Sequence, residues 1–148
     1  MEIMNENMMT DRTISGKANT ELTVEVAWTI GKAVADWLAT AGSVVVLAHP
    51  ALADIKHAAC EGVRLQGRNV VDGGAGASEA AVSYIKTGGL SGAIVIDYDQ
   101  ATEVVSIEVY QEDGLRIEKE SGLAELYELV QAGNFVPAAV KGELTAIA

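Results

Sequence analysis

Short continuous apolar runs alternate with segments of helical periodicity along this chain. Three runs have the length and composition of buried strands, at residues 44–47, 69–72 and 93–96. Apolar residues recur at helical spacing between and before them, over residues 22–41, 52–63 and 79–87. Strands joined by helices pair in parallel through right-handed crossovers. The alternation therefore predicts an α/β fold with three parallel strands.

A fourth strand is predicted at residues 104–110, where apolar and polar residues alternate from Val105 onward. That pattern is typical of an edge strand with one face in water. Only residues 97–103 separate it from the preceding strand, and so short a connection favours antiparallel pairing. With a last helix ending at Gly133, the prediction is a three-layer α/β/α sandwich with a four-stranded mixed sheet.

The 148 residues suit a single domain, predicted to occupy residues 11–148 after a disordered lead-in at residues 1–10. The lead-in is polar and lacks the basic start and apolar core of a signal peptide. Cys60 is the only cysteine, which fits a reducing compartment, so we expect a cytoplasmic protein. The net charge of −11 argues against nucleic acid and membranes as partners, because both require a basic face.

Two carboxylates, Asp97 and Asp99, follow the apolar run at residues 93–96. Alternation places both on one side of an extended chain. An apolar strand that ends in D-x-D resembles the way haloacid-dehalogenase-type phosphatases present an aspartate nucleophile. However, those enzymes have Thr or Val where this chain has Ala101. We therefore favour a polar strand end on the surface of an acidic protein.

The other polar candidates carry weaker signals. A glycine-rich loop at residues 73–76 precedes a helix and could approach phosphate, but Glu79 would repel it, so a flexible connection is favoured. His49 ends a strand and could exchange protons, although no Asp or Cys partner stands at a suitable spacing. His57 is expected in solvent and Cys60 in the core. No cluster of His and Cys with metal-ligand spacing occurs.

Several stretches resemble the α-D-phosphohexomutases, the phosphoglucomutase/phosphomannomutase family. "ELTVEVAWTIGKAVADWLATAGSVVV" (residues 21–46) is similar to the opening of that family, and "KHAACEGVRLQGRNVVDGG" (residues 56–74) to a later block. "GLSGAIVI" (residues 89–96) and "GLAELYELVQAGNF" (residues 122–135) continue the resemblance. It runs from about Met9 to the C-terminus and covers only the first of the family's four domains. It implies the α/β/α fold of domain I.

The active-site motifs of the family are replaced in this chain. The family's catalytic loop, T-A-S-H-N-P, falls on residues 97–102, which puts Asp97 at its start, Asp99 at the serine and Gln100 at the histidine. The arginine-bearing G-R-D-T-R loop falls on residues 47–51, around His49. The family uses Mg²⁺, but no ligands for it are evident here, so no cofactor is predicted. Without those arginines, the resemblance argues against a sugar phosphate as ligand.

These substitutions predict a stand-alone, non-catalytic domain that binds a protein partner or itself, as a homodimer. In the larger enzymes this domain packs on a neighbouring domain. As a stand-alone protein it must either carry polar residues on that surface or cover it with a partner. The alternative is an enzymatic role in carbohydrate metabolism. In that case the chain would bind a sugar phosphate or act as an intramolecular phosphotransferase (phosphoglucomutase/phosphomannomutase), completed by another chain.

Overall fold

The computed structural model describes residues 3–146, so Met1, Glu2, Ile147 and Ala148 lie outside the described residues. The strands are β1 (Ile14–Lys17), β2 (Val44–Ala48), β3 (Val70–Gly74), β4 (Gly92–Asp99), β5 (Val104–Gln111) and β6 (Leu144–Ala146). The helices are α1 (Val24–Trp37), α2 (Ala53–Leu65), α3 (Ser78–Gly88) and α4 (Leu123–Ala132). Short 3-10 turns lie at Glu6–Met8, Pro50–Leu52 and Lys119–Ser121.

The sheet has six strands in the order β1-β5-β4-β2-β3-β6, so the prediction of four strands is wrong. The predicted core is present: β2 pairs in parallel with β3 and β4, and β5 is antiparallel to β4. The added strands are β1, antiparallel to β5, and β6, parallel to β3. β5 is therefore not an edge strand. β1 contributes one large apolar side chain and β6 is exposed throughout, so neither carries a periodic apolar signal.

Helices cover both faces of the sheet and form the three layers of an α/β/α sandwich. α1, α2 and α4 pack on one face, against inward side chains such as Val46, Ile94 and Ile107. α3 alone packs on the other face, against Val45 and Val95 and their neighbours. Successive side chains of a strand point to opposite faces of the sheet, and both faces are buried at its centre. Strands such as β2 and β4 are therefore continuous apolar runs in the sequence and contribute to both cores. No helix among residues 3–146 is long and apolar enough to cross a membrane.

α1 begins where the sequence indicates and ends earlier than predicted. The Thr23 hydroxyl accepts a hydrogen bond from the Val26 N–H at 3.2 Å, which caps the first turn. The helix ends at Trp37, because Leu38 adopts an extended conformation. The connection to β2 is then held by the Arg68 guanidinium, which donates to several of its carbonyl oxygens.

The described part of the lead-in, residues 3–10, packs on the domain through Met4 and Met8, contrary to the disorder expected for residues 1–10. Met4 and Met8 are 1% and 2% exposed. The Gln131 side chain on α4 accepts from the Met4 N–H at 2.9 Å and donates to the Met4 carbonyl oxygen at 2.7 Å. Because this segment is polar in composition, the sequence did not indicate that two of its methionine side chains reach the core.

Candidate functional site

The carboxyl ends of β2 and β4 bring His49 beside Tyr98 at one edge of the sheet. The His49 N–H donates to the Ile96 carbonyl oxygen at 2.9 Å, which extends the β2–β4 ladder by one bond. The two rings meet edge to face, with centroids 5.7 Å apart. His49 Nδ1 accepts a hydrogen bond from the Ala51 N–H at 3.0 Å and so caps the turn at Pro50–Leu52. This nitrogen therefore has a structural partner already.

Asp97 and Asp99 lie on the opposite face of β4 from Tyr98. Tyr98 packs against the core under α1 and α2, whereas the two aspartates continue the alternation that sends Val95 to the α3 face. Both carboxylates are exposed. Within residues 3–146, no hydrogen bond or ion pair joins either of them to His49. The structure therefore places these predicted site residues at one edge without assembling them into an acid–base pair.

The β4–β5 connection is a tight turn that Asp99 stabilises. The turn comprises residues 100–103, with Gln100 exposed and Glu103 in the left-handed region at φ 60°. One carboxylate oxygen of Asp99 accepts from the N–H groups of Ala101 and Thr102, at 3.0 and 3.4 Å. Such a bond pattern is typical of an aspartate that initiates a turn. Oδ1 of Asp99 is thus engaged with its own backbone, and Oδ2 has no hydrogen bond among the described residues.

Replacing Asp99 with alanine is expected to lower the free energy of unfolding by about 1 kcal/mol, because two turn N–H groups lose their acceptor. Asp99→Asn keeps an oxygen acceptor and should retain most of the stability. Urea denaturation followed by circular dichroism measures both. If Asp99→Ala matches the parent protein while Asp99→Asn is the less stable variant, the carboxylate does not act through this turn.

The glycines of residues 73–76 have a packing role at the end of β3. Gly74 has φ 73°, a conformation that side chains rarely adopt. A β-carbon on Gly76 would lie 2.5 Å from Leu47 Cδ2, inside contact distance. Glu79 occupies the first turn of α3, the position where an anion would have to bind. The loop therefore serves the close approach of strand and helix, without the features of a phosphate cradle.

An ion pair that the sequence did not reveal lies at the end of β3. Lys56 Nζ on α2 is 3.1 Å from Asp72 Oδ1, which also accepts from the Gly74 N–H at 2.9 Å. Cys60 is buried behind this pair, and burial together with the Asp72 charge raises the pKa of the thiol to about 12. The thiol is therefore protonated and a poor nucleophile at neutral pH. Lys56 and Asp72 lie on different elements, so the ion pair forms only because the β2–α2–β3 connection places α2 beside β3.

A cavity of about 230 Å³ opens beside Tyr98 at this edge of the sheet. Its lining residues come from the β1–α1 connection and from the start of α2, and they are Ala18, Asn19, Val24, Ala51, Leu52, Asp54, Ile55 and Tyr98. Asp54 is the one charged side chain among them. The lining of this cavity therefore carries one negative charge and no positive one, which disfavours an anionic ligand.

Residues 8–136 match the family model described as phosphoglucomutase/phosphomannomutase, alpha/beta/alpha domain I. The match spans most of the chain, so the protein belongs to the phosphoglucomutase/phosphomannomutase family and represents its domain I. No curated protein sequence matches the chain.

Solved structures of this family share the fold. A phosphoglucomutase/phosphomannomutase family protein from Burkholderia thailandensis superposes with a TM-score of 0.75 at 17% identity, over 97% of this chain and 33% of that one. A putative phosphomannomutase from Thermus thermophilus gives 0.74 at 15% identity, over 93% and 32%. Parafusin, a phosphoglucomutase from Paramecium, gives 0.51 at 14% identity, over 80% and 22%. The chain thus spans a third or less of these proteins.

The residues at the sheet edge do not fit the magnesium ion that the family uses. Asp97 Oδ1 accepts from the Tyr98 N–H at 2.9 Å, and Asp99 Oδ1 is held by its turn. Among residues 3–146, no three His, Cys, Asp or Glu side chains come together as a metal would require. Of the predicted counterparts of the catalytic loop, Asp97 lies in β4, Asp99 ends that strand and stabilises the turn, and Gln100 lies in the turn.

Proposed function

We propose that this domain does not catalyse phosphoryl transfer with its own residues and serves as a binding and oligomerisation module. The observation that carries the proposal is the bonding of Asp99, at the position of the family's serine. Its carboxylate oxygen accepts two N–H groups of the turn that follows. Oδ1 is therefore committed to the hairpin, and a phosphorylated Asp99 would have to give up these bonds or form through Oδ2.

The charges around the sheet edge support the same proposal. Phosphoryl transfer requires cations that offset the charge of the transferred group. Lys56 is paired with Asp72 at 3.1 Å, and Lys17 lies two strands away from Asp99 with Val104 between them. The cavity beside Tyr98 contributes only the carboxylate of Asp54. A phosphate dianion in that cavity would face this carboxylate, with no cation among the lining residues to offset it.

The proposal includes a cytoplasmic location, in keeping with the single, buried thiol of Cys60. It also includes self-association, which is supported by exposed apolar side chains, since Val136 and Val140 are 84% and 78% exposed.

A labelling experiment tests the catalytic half of the proposal. The protein is incubated with Mg²⁺, glucose 1-phosphate and radiolabelled glucose 1,6-bisphosphate, with an active mutase as positive control. We expect neither glucose 6-phosphate above background nor label on the protein. Asp99→Asn is the matched variant, because it removes the possible aspartyl acceptor and keeps the turn. Label on Asp99 that the variant abolishes would overturn the proposal and favour the phosphotransferase alternative.

A further inference from the structure

β6 forms an open edge of the sheet. Among residues 3–146 it pairs only with β3, and all three of its residues are exposed. The opposite edge is protected, because an antiparallel bridge joins Met9 to Ile14 on the outer side of β1. An open edge presents unpaired N–H and C=O groups, and proteins usually cover or charge such a strand. β6 carries neither protection, since its sequence is Leu-Thr-Ala.

The register of β6 decides which backbone groups are free. The Val70 N–H donates to the Glu143 carbonyl oxygen at 2.8 Å, and Val70 stands opposite Leu144. In a parallel ladder, successive residues direct their backbone groups to alternate sides. Glu143 and Thr145 therefore face β3, and Leu144 and Ala146 direct their N–H and C=O groups to the open side.

An apolar strip accompanies this edge. Val136, Val140 and Leu144 are 84%, 78% and 41% exposed. The segment that carries them is fixed to the body of the domain. The Ala138 N–H donates to the Leu65 carbonyl oxygen at 3.0 Å, and the Gly142 N–H donates to the Arg64 carbonyl oxygen at 2.8 Å. The edge is therefore held in place before any partner arrives, which lowers the entropy cost of pairing.

Charge decides which partner suits the edge. Residues 134–146 contain one cation, Lys141, and one anion, Glu143, in a chain whose net charge is −11. Lys141 is itself 3.4 Å from Glu61 on α2. A basic partner would find a single exposed carboxylate in this segment, that of Glu143, and would bind more strongly elsewhere on the acidic surface. A second copy of this chain, repelled by the other surfaces, meets only this one unpaired like charge among residues 134–146.

We propose that two copies of this chain pair through their β6 strands, antiparallel and about a two-fold axis. With Thr145 on the axis, each Leu144 opposes Ala146 of the second copy, and both residues present free backbone groups. The two sheets then become one continuous sheet, and the apolar strips meet beside the joint. This inference rests on the proposed oligomerisation function and names its surface.

Three substitutions test the pairing by analytical ultracentrifugation of the 148-residue chain. Ala146→Pro removes an outward N–H and leaves the ladder to β3 intact. Leu144→Lys adds charge to the edge, and Val24→Lys on α1 is its control, with the same charge change at a residue 47% exposed. We expect the parent to dimerise at micromolar concentrations. The edge variants should raise the dissociation constant about tenfold or more, and Val24→Lys should leave it within about twofold.

Salt gives a second readout. Raising NaCl from about 0.05 to 0.5 M should tighten the dimer, because it screens repulsion between two acidic chains. A parent protein that stays monomeric at about 200 µM, with all variants folded by circular dichroism, overturns the pairing. A dimer that Val24→Lys dissociates and the edge variants do not would also overturn it, yet would leave the oligomerisation function standing. The labelling result is independent of either outcome.

Discussion

Replacing Gly62 with alanine is expected to lower the free energy of unfolding by about 3 kcal/mol. Gly62 lies on α2 where it crosses α1, and a β-carbon there would collide with the Trp28 carbonyl oxygen and lie 3.0 Å from the Lys32 nitrogen. Both obstacles are backbone atoms of a helix, so they cannot move aside as a side-chain tip would. Relief requires the two helices to separate, and this disturbs the core between them and the sheet.

The same contact exists from the other side of the crossing. A β-carbon on Gly31 of α1 would collide with the Ala59 carbonyl oxygen of α2. Gly31→Ala should therefore destabilise the protein by a similar amount, and the double variant by less than the sum, because separating the helices once relieves both collisions. At each glycine, the missing side chain leaves the space that the backbone of the opposite helix occupies.

Gly88→Ala is the matched control for this prediction. Gly88 ends α3, and the nearest atom to a β-carbon there is Leu90 Cγ at 3.5 Å, an ordinary contact. Alanine should be neutral or stabilise by about 0.5 kcal/mol, since it restricts the unfolded chain. Urea denaturation measures the parent protein and the four variants. If Gly62→Ala is as stable as Gly88→Ala, the helices do not cross as closely as described.

Sequence patterns predicted the elements whose signal is local. Thr23 stands before an amphipathic run and caps α1, and the short connection at residues 97–103 indicated the antiparallel β4–β5 pair. β1 and β6 were missed because neither strand carries an apolar periodicity. β1 buries one large apolar side chain, Ile14, and ends at Lys17, and all three residues of β6 are exposed. Hydrophobic periodicity cannot reveal strands that bury so little apolar surface.

The candidate site also combines features that the sequence predicted with features that it did not. Asp97, Asp99 and His49 could be selected from sequence because they are polar residues directly after buried runs. The groups to which these side chains bond could not be predicted from the sequence. Whether Asp99 faces a cleft or its own turn depends on how tightly residues 100–103 close, and His49 Nδ1 turns to the Ala51 N–H only because Pro50 starts a 3-10 turn. The hydrogen-bond partners of both side chains depend on the backbone geometry of the turns, which the residue types allow but do not fix.

Arg68 was not recognised from sequence, although its substitution should have the second large effect. Its guanidinium donates to the carbonyl oxygens of Ala35 (2.8 and 3.1 Å), Thr40 (2.7 Å) and Gly42 (2.7 Å), which lie at the end of α1 and in the connection to β2. Burial lowers the pKa of Arg68 from a very high starting value, and the nearby Asp36 partly offsets the shift. The side chain therefore stays charged and holds the backbone of this connection in place.

Arg68→Met is expected to lower the free energy of unfolding by about 3 kcal/mol, because methionine fills the space and leaves carbonyl oxygens without donors. Arg68→Lys should recover only about 1 kcal/mol of this, since an ammonium cannot span the fork of acceptors. Arg12→Met, at an exposed position, is the control and should change stability by less than about 0.5 kcal/mol. Hydrogen exchange of residues 38–43 should accelerate in Arg68→Met and not in Arg12→Met. Equal protection of this segment in both variants would mean that the connection holds its shape without the guanidinium.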